Sequence, residues 1–132
     1  MSKFYILVNH KPVLVSNLHI WAEKFKLDER QVRRTLIGDV EISTVFLGID
    51  HRRTRRGPPI LFETMIFDAT GKYDYYEDRC STWKEATQMH QRACDVVCDT
   101  RWKSGMKRVL SSLAFPSQKI KEWNSNWQDR FF

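Results

Sequence analysis

Three cysteines, four prolines and five glycines are few for a chain of 132 residues. The thiols, Cys80, Cys94 and Cys98, are odd in number, so a fully paired disulfide framework is excluded. A domain of this size builds a core without such staples, and free thiols in a reducing cytoplasm are the expectation. No apolar run approaches the roughly 20 residues needed to cross a bilayer. Met1-Ser2-Lys3-Phe4 leads straight into a strand-like segment without the hydrophobic stretch of a signal peptide, which predicts a soluble protein not exported by that route. Gly/Ser linkers, internal repeats and low-complexity tracts are missing. So are the Walker and dinucleotide glycine loops, GxSxG and HExxH, which removes the sequence signatures of many nucleotide-binding, serine-hydrolase and zinc-protease sites.

What is present suits one compact domain. Hydrophobic residues make up 42% and aromatic residues 13%, with five Trp and eight Phe, enough apolar material to exclude global disorder. The net charge of +6 is unevenly spread. Residues 68–99 carry seven acidic against four basic groups, whereas residues 100–132 carry seven basic against two acidic.

The pattern of apolar residues predicts an α+β fold: an antiparallel sheet, made of an N-terminal hairpin plus a meander, with helices packed on one face and a helical C-terminal tail. Strands are expected at 4–8 and 12–15 around the turn Asn9-His10-Lys11. Asn17 offers an N-cap to a helix whose Leu18, Trp21, Ala22 and Phe25 recur at helical spacing and should lie on the sheet. After a charged break at residues 27–30, residues 31–36 read as a further strand. The β-branched run 40–49 ends near Gly48, and 60–67 and 73–80 complete a meander in which Tyr73, Tyr75 and Tyr76 are read as sheet packing rather than base-stacking residues. Thr82 and Glu85 form a capping-box pattern ahead of a helix carrying Trp83, Ala86, His90, Ala93 and Val97. Met106, Val109, Leu110 and Leu113 suggest a third helix ended by Pro116, and Ile120, Trp123 and Trp127 a fourth. Residues 1–98 are read as the α+β domain and 99–132 as a basic, Trp-rich helical extension packed on or next to it.

Three sets of residues bear on function. Arg52, Arg53, Arg55 and Arg56 crowd into a loop closed by Gly57-Pro58-Pro59. Guanidinium forks bind phosphate bidentately, so the loop reads as a solvent-facing anion clamp; equally, solvated arginines can simply keep a long connection exposed. Asp50, His51, Glu63 and His90 are acid–base or metal-ligating types that would serve a metal-dependent nuclease or phosphohydrolase if the fold brought them together. Their spacing fits no tight metal motif, a helical His is more often a hydrogen-bonded structural residue, and Glu63 in an apolar strand needs an outward face or a partner. No metal and no cofactor is expected. Cys94 and Cys98, one helical turn apart without a second Cys/His pair, default to core thiols. Trp102, Lys103, Lys107, Arg108, Trp123 and Trp127 make the tail a partner-binding candidate whose removal should leave a folded sheet domain.

The blocks STVFLGIDH at 43–51, GPPILFETMIF at 57–67 and RCSTWKEATQMHQRA at 79–93, with the opening FYILVNHKPV, resemble a widespread group of small uncharacterised proteins of tailed bacteriophages. In that group the strand ending in Asp-His, the Gly-Pro-Pro turn, the Phe-Glu-Thr-Met strand and the Thr-Trp helix start with its downstream His recur together. Here they fall on Asp50 and His51, Gly57 to Pro59, Phe62 to Met65, Thr82, Trp83 and His90. The connecting loop, short and glycine-rich in the group, is instead Arg52-Arg53-Thr54-Arg55-Arg56, and the tail from Arg101 onward has no counterpart. The resemblance implies the cytoplasm of an infected bacterial host as the setting, and no activity.

The leading expectation is a phage accessory protein that binds a host or anti-phage defence component stoichiometrically, at a phosphate-bearing site of nucleic acid or nucleotide. No membrane partner is expected, and a homo-oligomer is allowed. The nuclease or phosphohydrolase stands as the alternative, and a purely protein-binding module as the second.

Overall fold

The computed structural model describes residues 3–112, with 101–112 described as helix backbone. The chain divides into two units, Met1–Asp95 and Val96–Phe132. In the first, β1 (Phe4–Val8) and β2 (Lys11–Val15) form a two-stranded antiparallel hairpin. Asn9 and His10 both take positive φ, 49° and 66°, the left-handed pair of a tight hairpin turn that matches strand twist.

Helix α1 (Leu18–Lys24) starts at Asn17, whose side-chain oxygen accepts from His19 N at 2.9 Å. Its expected apolar face is largely open, with Leu18 56% exposed; only Trp21 and the C-cap Phe25 engage firmly. The Trp21 ring meets Phe4 edge-on at 5.1 Å, stacks on Phe25 at 4.2 Å, and donates from Nε1 to Gly48 O at 3.0 Å. The break after it is a single turn, α2 (Leu27–Arg30).

Strands β3 (Gln31–Ile37), β4 (Val40–Phe46), β5 (Phe62–Phe67) and β6 (Glu77–Cys80) follow as a four-stranded antiparallel meander in sequence order. The hairpin joins it through a bridge between Phe4 and Ile49 and a bond from Tyr5 N to Gly48 O at 2.8 Å. β4 leaves the sheet earlier than its apolar run suggests, near Gly48 at φ +74°. A Cβ there would sit 2.8 Å from the Phe25 ring, so the close approach of α1 and the backbone angle both demand glycine. β6 is shorter than expected because Tyr73 to Tyr76 satisfy backbone groups locally: Asp74 N bonds Gly71 O and Tyr76 N bonds Tyr73 O. Tyr75 is fully exposed, not packed on a sheet as expected.

Period-two alternation sorts the faces. Val40, Ile42, Thr44 and Phe46 of β4 are buried, as are Phe62, Thr64 and Ile66 of β5. The first turns of α3 (Trp83–Ser112) pack on this face, where Ala86 and Met89 join Phe46, Leu61, Phe62 and Cys80 in one cluster flanked by Tyr5, Leu7, Val32 and Trp83. The Thr82 hydroxyl accepts from Glu85 N at 3.2 Å and donates to the Glu85 carboxylate at 2.8 Å, fixing the helix start. The two helices expected between residues 82 and 112 are one. Gly105 alone, without a proline beside it, costs a helix only about 1 kcal/mol, too little to stop it. Leu113, Pro116 and the fourth expected helix lie outside the described residues. No helix among the described residues is long and apolar enough to cross a membrane.

Candidate functional site

The connection between β4 and β5 carries the arginines, and Asp50 organises it. One carboxylate oxygen of Asp50 accepts from Arg52 N at 3.0 Å and Ile60 N at 3.1 Å, while the other accepts from Arg52 Nε at 2.7 Å. Arg52 Nη1 reaches on to Gly57 O at 2.6 Å, and His51 N donates to Ile60 O at 3.0 Å. The loop is thus tied across its neck by one carboxylate and one guanidinium. Burial alone would push the Asp50 carboxyl up; the backbone donors of Arg52 and Ile60 and the Arg52 guanidinium outweigh it and hold the group below the usual carboxylate range.

The four arginines of the loop differ in their surroundings. Arg52 is only 20% exposed and is spent on Asp50 and Gly57. Arg53, Arg55 and Arg56 lie in the tip and are exposed, as are Gly57, at φ +80°, and Pro58. Three guanidinium groups are therefore presented on a short span whose ends are held in place.

The four residues considered for acid–base or metal chemistry go to separate tasks. Asp50 is the loop brace, and His51 is exposed beside it. Glu63 lies on the face of β5 opposite Thr64 and binds Arg79 Nε at 2.8 Å, with Arg79 also reaching Glu77 at 2.9 Å. That outward face and partner answer the cost of a carboxylate in an apolar strand. His90 is wholly buried against the inner sheet face: Nε2 lies 2.8 Å from Thr35 Oγ1 and Nδ1 2.7 Å from Thr44 Oγ1, which in turn bonds Thr64 Oγ1. Burial, then the nearby Arg33 charge, lower the His90 pKa, favouring the neutral ring. Among the described residues, no three His, Cys, Asp or Glu side chains gather as a metal set.

The threonine partners were missed from the sequence, although a signal for two of them existed. Thr44 alternates with Ile42 and Phe46, and Thr64 with Phe62 and Ile66, so both sit at core parity, where a hydroxyl needs a partner. Among the described residues no buried side-chain nitrogen or oxygen lacks one.

No disulfide joins the three cysteines, and Cys80 and Cys94 are buried. Cys98 is exposed, against the expectation of a core thiol. Burial, reinforced by the Glu85 charge, pushes the Cys80 thiol up to about 11. Of the tail residues, Trp102, Lys103, Lys107 and Arg108 fall on the backbone of α3, while Trp123 and Trp127 lie outside the described residues. Comparison with known proteins finds no matching family model, curated protein or solved structure.

Proposed function

We propose that this chain acts by stoichiometric binding, presenting Arg53, Arg55 and Arg56 to the phosphates of a nucleic acid or nucleotide of the host or its defence machinery. The observation that carries the reading is the braced loop: Asp50 and Arg52 neutralise one another and fix the neck, leaving the three tip arginines exposed. Like charges so close repel unless an anion lies between them, and a tied loop loses less entropy on binding than a free one. The dispersal of Asp50, Glu63 and His90 to separate partners supports binding over hydrolysis. The phage setting comes from the sequence resemblance, and in that setting the chain is an accessory protein.

The test is titration of the full chain with a fluorescent single-stranded oligonucleotide and, separately, with a mononucleotide, across a range of salt. Three phosphate contacts on a single strand predict a log–log salt slope near about −2. The triple variant Arg53→Ser, Arg55→Ser, Arg56→Ser should bind the oligonucleotide at least about tenfold more weakly, each tenfold being about 1.4 kcal/mol. Binding that is insensitive to salt and to the triple substitution overturns the reading. Saturation by the mononucleotide at equal affinity would select a nucleotide over a strand.

A further inference from the structure

The arginine loop is the end of a two-stranded ribbon. The β4–β5 ladder continues past the Phe46–Phe62 pair through Leu47 N to Leu61 O at 2.7 Å and His51 N to Ile60 O at 3.0 Å. Antiparallel backbones bonded in this way lie about 5 Å apart. Arg53 to Pro58 stand beyond the last of these bonds and are all exposed, and nothing lies within 4 Å of where a Gly57 Cβ would sit. Asp50 is the one acid between residues 50 and 60; it is 9% exposed and paired with Arg52, so it does not offset the three tip cations.

The forms of nucleic acid differ in what they require of a protein. A single strand is held by aromatic faces on which successive bases stack. The loop has no Phe, Tyr or Trp, and His51 supplies its one aromatic ring. The rings nearest the neck are occupied: Phe46 and Phe62 are buried, Phe4 meets Trp21 at 5.1 Å, and Trp21 stacks on Phe25 at 4.2 Å. Tyr75, fully exposed, precedes Glu77, which pairs with Met65 toward the Phe67 end of β5. The Glu41–Phe67 pair lies five residues along the ladder from Phe46–Phe62, about 17 Å away at about 3.4 Å per residue. A duplex stacks its bases on one another and asks only for cations and a shape that fits a groove. The major groove of B-form DNA, about 12 Å wide, admits a two-stranded ribbon, whereas the minor groove, about 6 Å wide, is too narrow for two backbones with their side chains. The major groove of A-form RNA is too deep and narrow to be entered.

We propose that the loop docks end-on in the major groove of double-stranded DNA, with Arg53, Arg55 and Arg56 meeting the phosphates along its walls. This rests on the phosphate reading and names the form of nucleic acid within it: a DNA duplex, in preference to a single strand, an RNA duplex or a mononucleotide. The ribbon supplies the shape, the tip supplies the charge, and the absence of open Phe, Tyr or Trp faces at the loop disfavours unstacked bases. The Asp50 and Arg52 brace lets the ribbon enter as a held unit, which lowers the entropy lost on docking.

The full chain is titrated, at one fixed salt, with a short fluorescent DNA duplex, with one of its strands alone, and with an RNA duplex of the same sequence. The DNA duplex should bind at least about tenfold more tightly than either of the others. Its log–log salt slope should be near about −3 for three phosphates on B-form DNA. Bulky groups on the thymine C5 positions project into the major groove and should weaken binding at least about tenfold, whereas a small ligand filling the minor groove should leave it unchanged. The serine triple variant of the tip, checked for folding by circular dichroism, should lose the preference for the duplex. A single strand or RNA duplex bound as tightly as the DNA duplex, binding indifferent to the C5 groups, or displacement by the minor-groove ligand overturns the proposal. Where such binding still falls with salt and with the triple substitution, the phosphate reading stands and this one alone falls; binding to none of the three nucleic acids and to no mononucleotide ends both.

Discussion

Nδ1 of His90 lies 2.7 Å from the Thr44 hydroxyl, across 46 residues of sequence, in the buried layer between α3 and the sheet. Thr44 also bonds Thr64, and Thr35 takes the other ring nitrogen, so one imidazole ties the helix to β3, β4 and β5. Removing one member leaves a buried polar atom without its partner, at a cost of about 1–3 kcal/mol. Thr44→Val should lower stability by that amount in urea unfolding, more than Thr54→Val in the exposed loop tip. Equal effects would show that the buried bonds contribute nothing beyond the change of side chain.

The same histidine makes the fold sensitive to mild acid. An unfolded His titrates near about 6.5, and the folded ring lies lower because of burial and the Arg33 charge. As pH falls through the unfolded value, the unfolded chain takes up a proton that the folded chain resists, so stability is full above about pH 6.5 and declines below it. The lowered Asp50 and Glu41 pKa values act only in the carboxylate range, well below this window. The urea midpoint should therefore be lower at about pH 5.5 than at about pH 7.5, and this difference should shrink in His90→Gln. A difference unchanged in that variant would place the acid sensitivity elsewhere.

Arg52 and its neighbours should separate into two phenotypes. Arg52→Ser and Asp50→Ala each remove a brace of the loop neck and should speed amide exchange at Arg52 and Ile60. Arg53→Ser, Arg55→Ser and Arg56→Ser should leave exchange there unchanged and weaken oligonucleotide binding. Five variants with indistinguishable exchange would mean that the neck does not depend on the Asp50–Arg52 pair.

Gly48→Ala should be among the costliest single-methyl additions in the chain. A positive φ of 74° and a Cβ 2.8 Å from the Phe25 ring act together, and backbone strain of this kind costs about 1–3 kcal/mol. Thermal unfolding should show the loss, while Gly57→Ala, with open space around it, carries only the backbone part. Equal losses at the two glycines would mean that Phe25 moves aside freely.

Thiol labelling at about pH 8 should show one fast cysteine, Cys98, and two slow ones. Cys80 and Cys94 are buried, and the Cys80 thiol, pushed up to about 11, is hardly ionised at that pH. Cys98→Ser should abolish the fast phase.

The fold class and most elements were legible along the chain. Strand alternation in 40–46 and 62–67, the Asn17 cap, the Thr82–Glu85 pattern and the Asn9-His10 turn are local signals that need only neighbours within a few residues. Their failures are local conflicts settled by tertiary contacts. β4 stops where α1 crowds Gly48, β6 starts late because the preceding tyrosines close their own turns, and α3 runs through Gly105. The role of each functional residue was a different matter. Sequence placed four arginines in one loop, but only the fold turned Asp50 onto Arg52 and left three exposed. It offered Asp50, Glu63 and His90 as possible partners, and the sheet register sent Glu63 outward to Arg79 and His90 inward to the threonines. Periodicity identifies which face a residue occupies, because that depends on backbone geometry alone; which group it meets there depends on strand order and helix placement, and those arise only when distant segments pack.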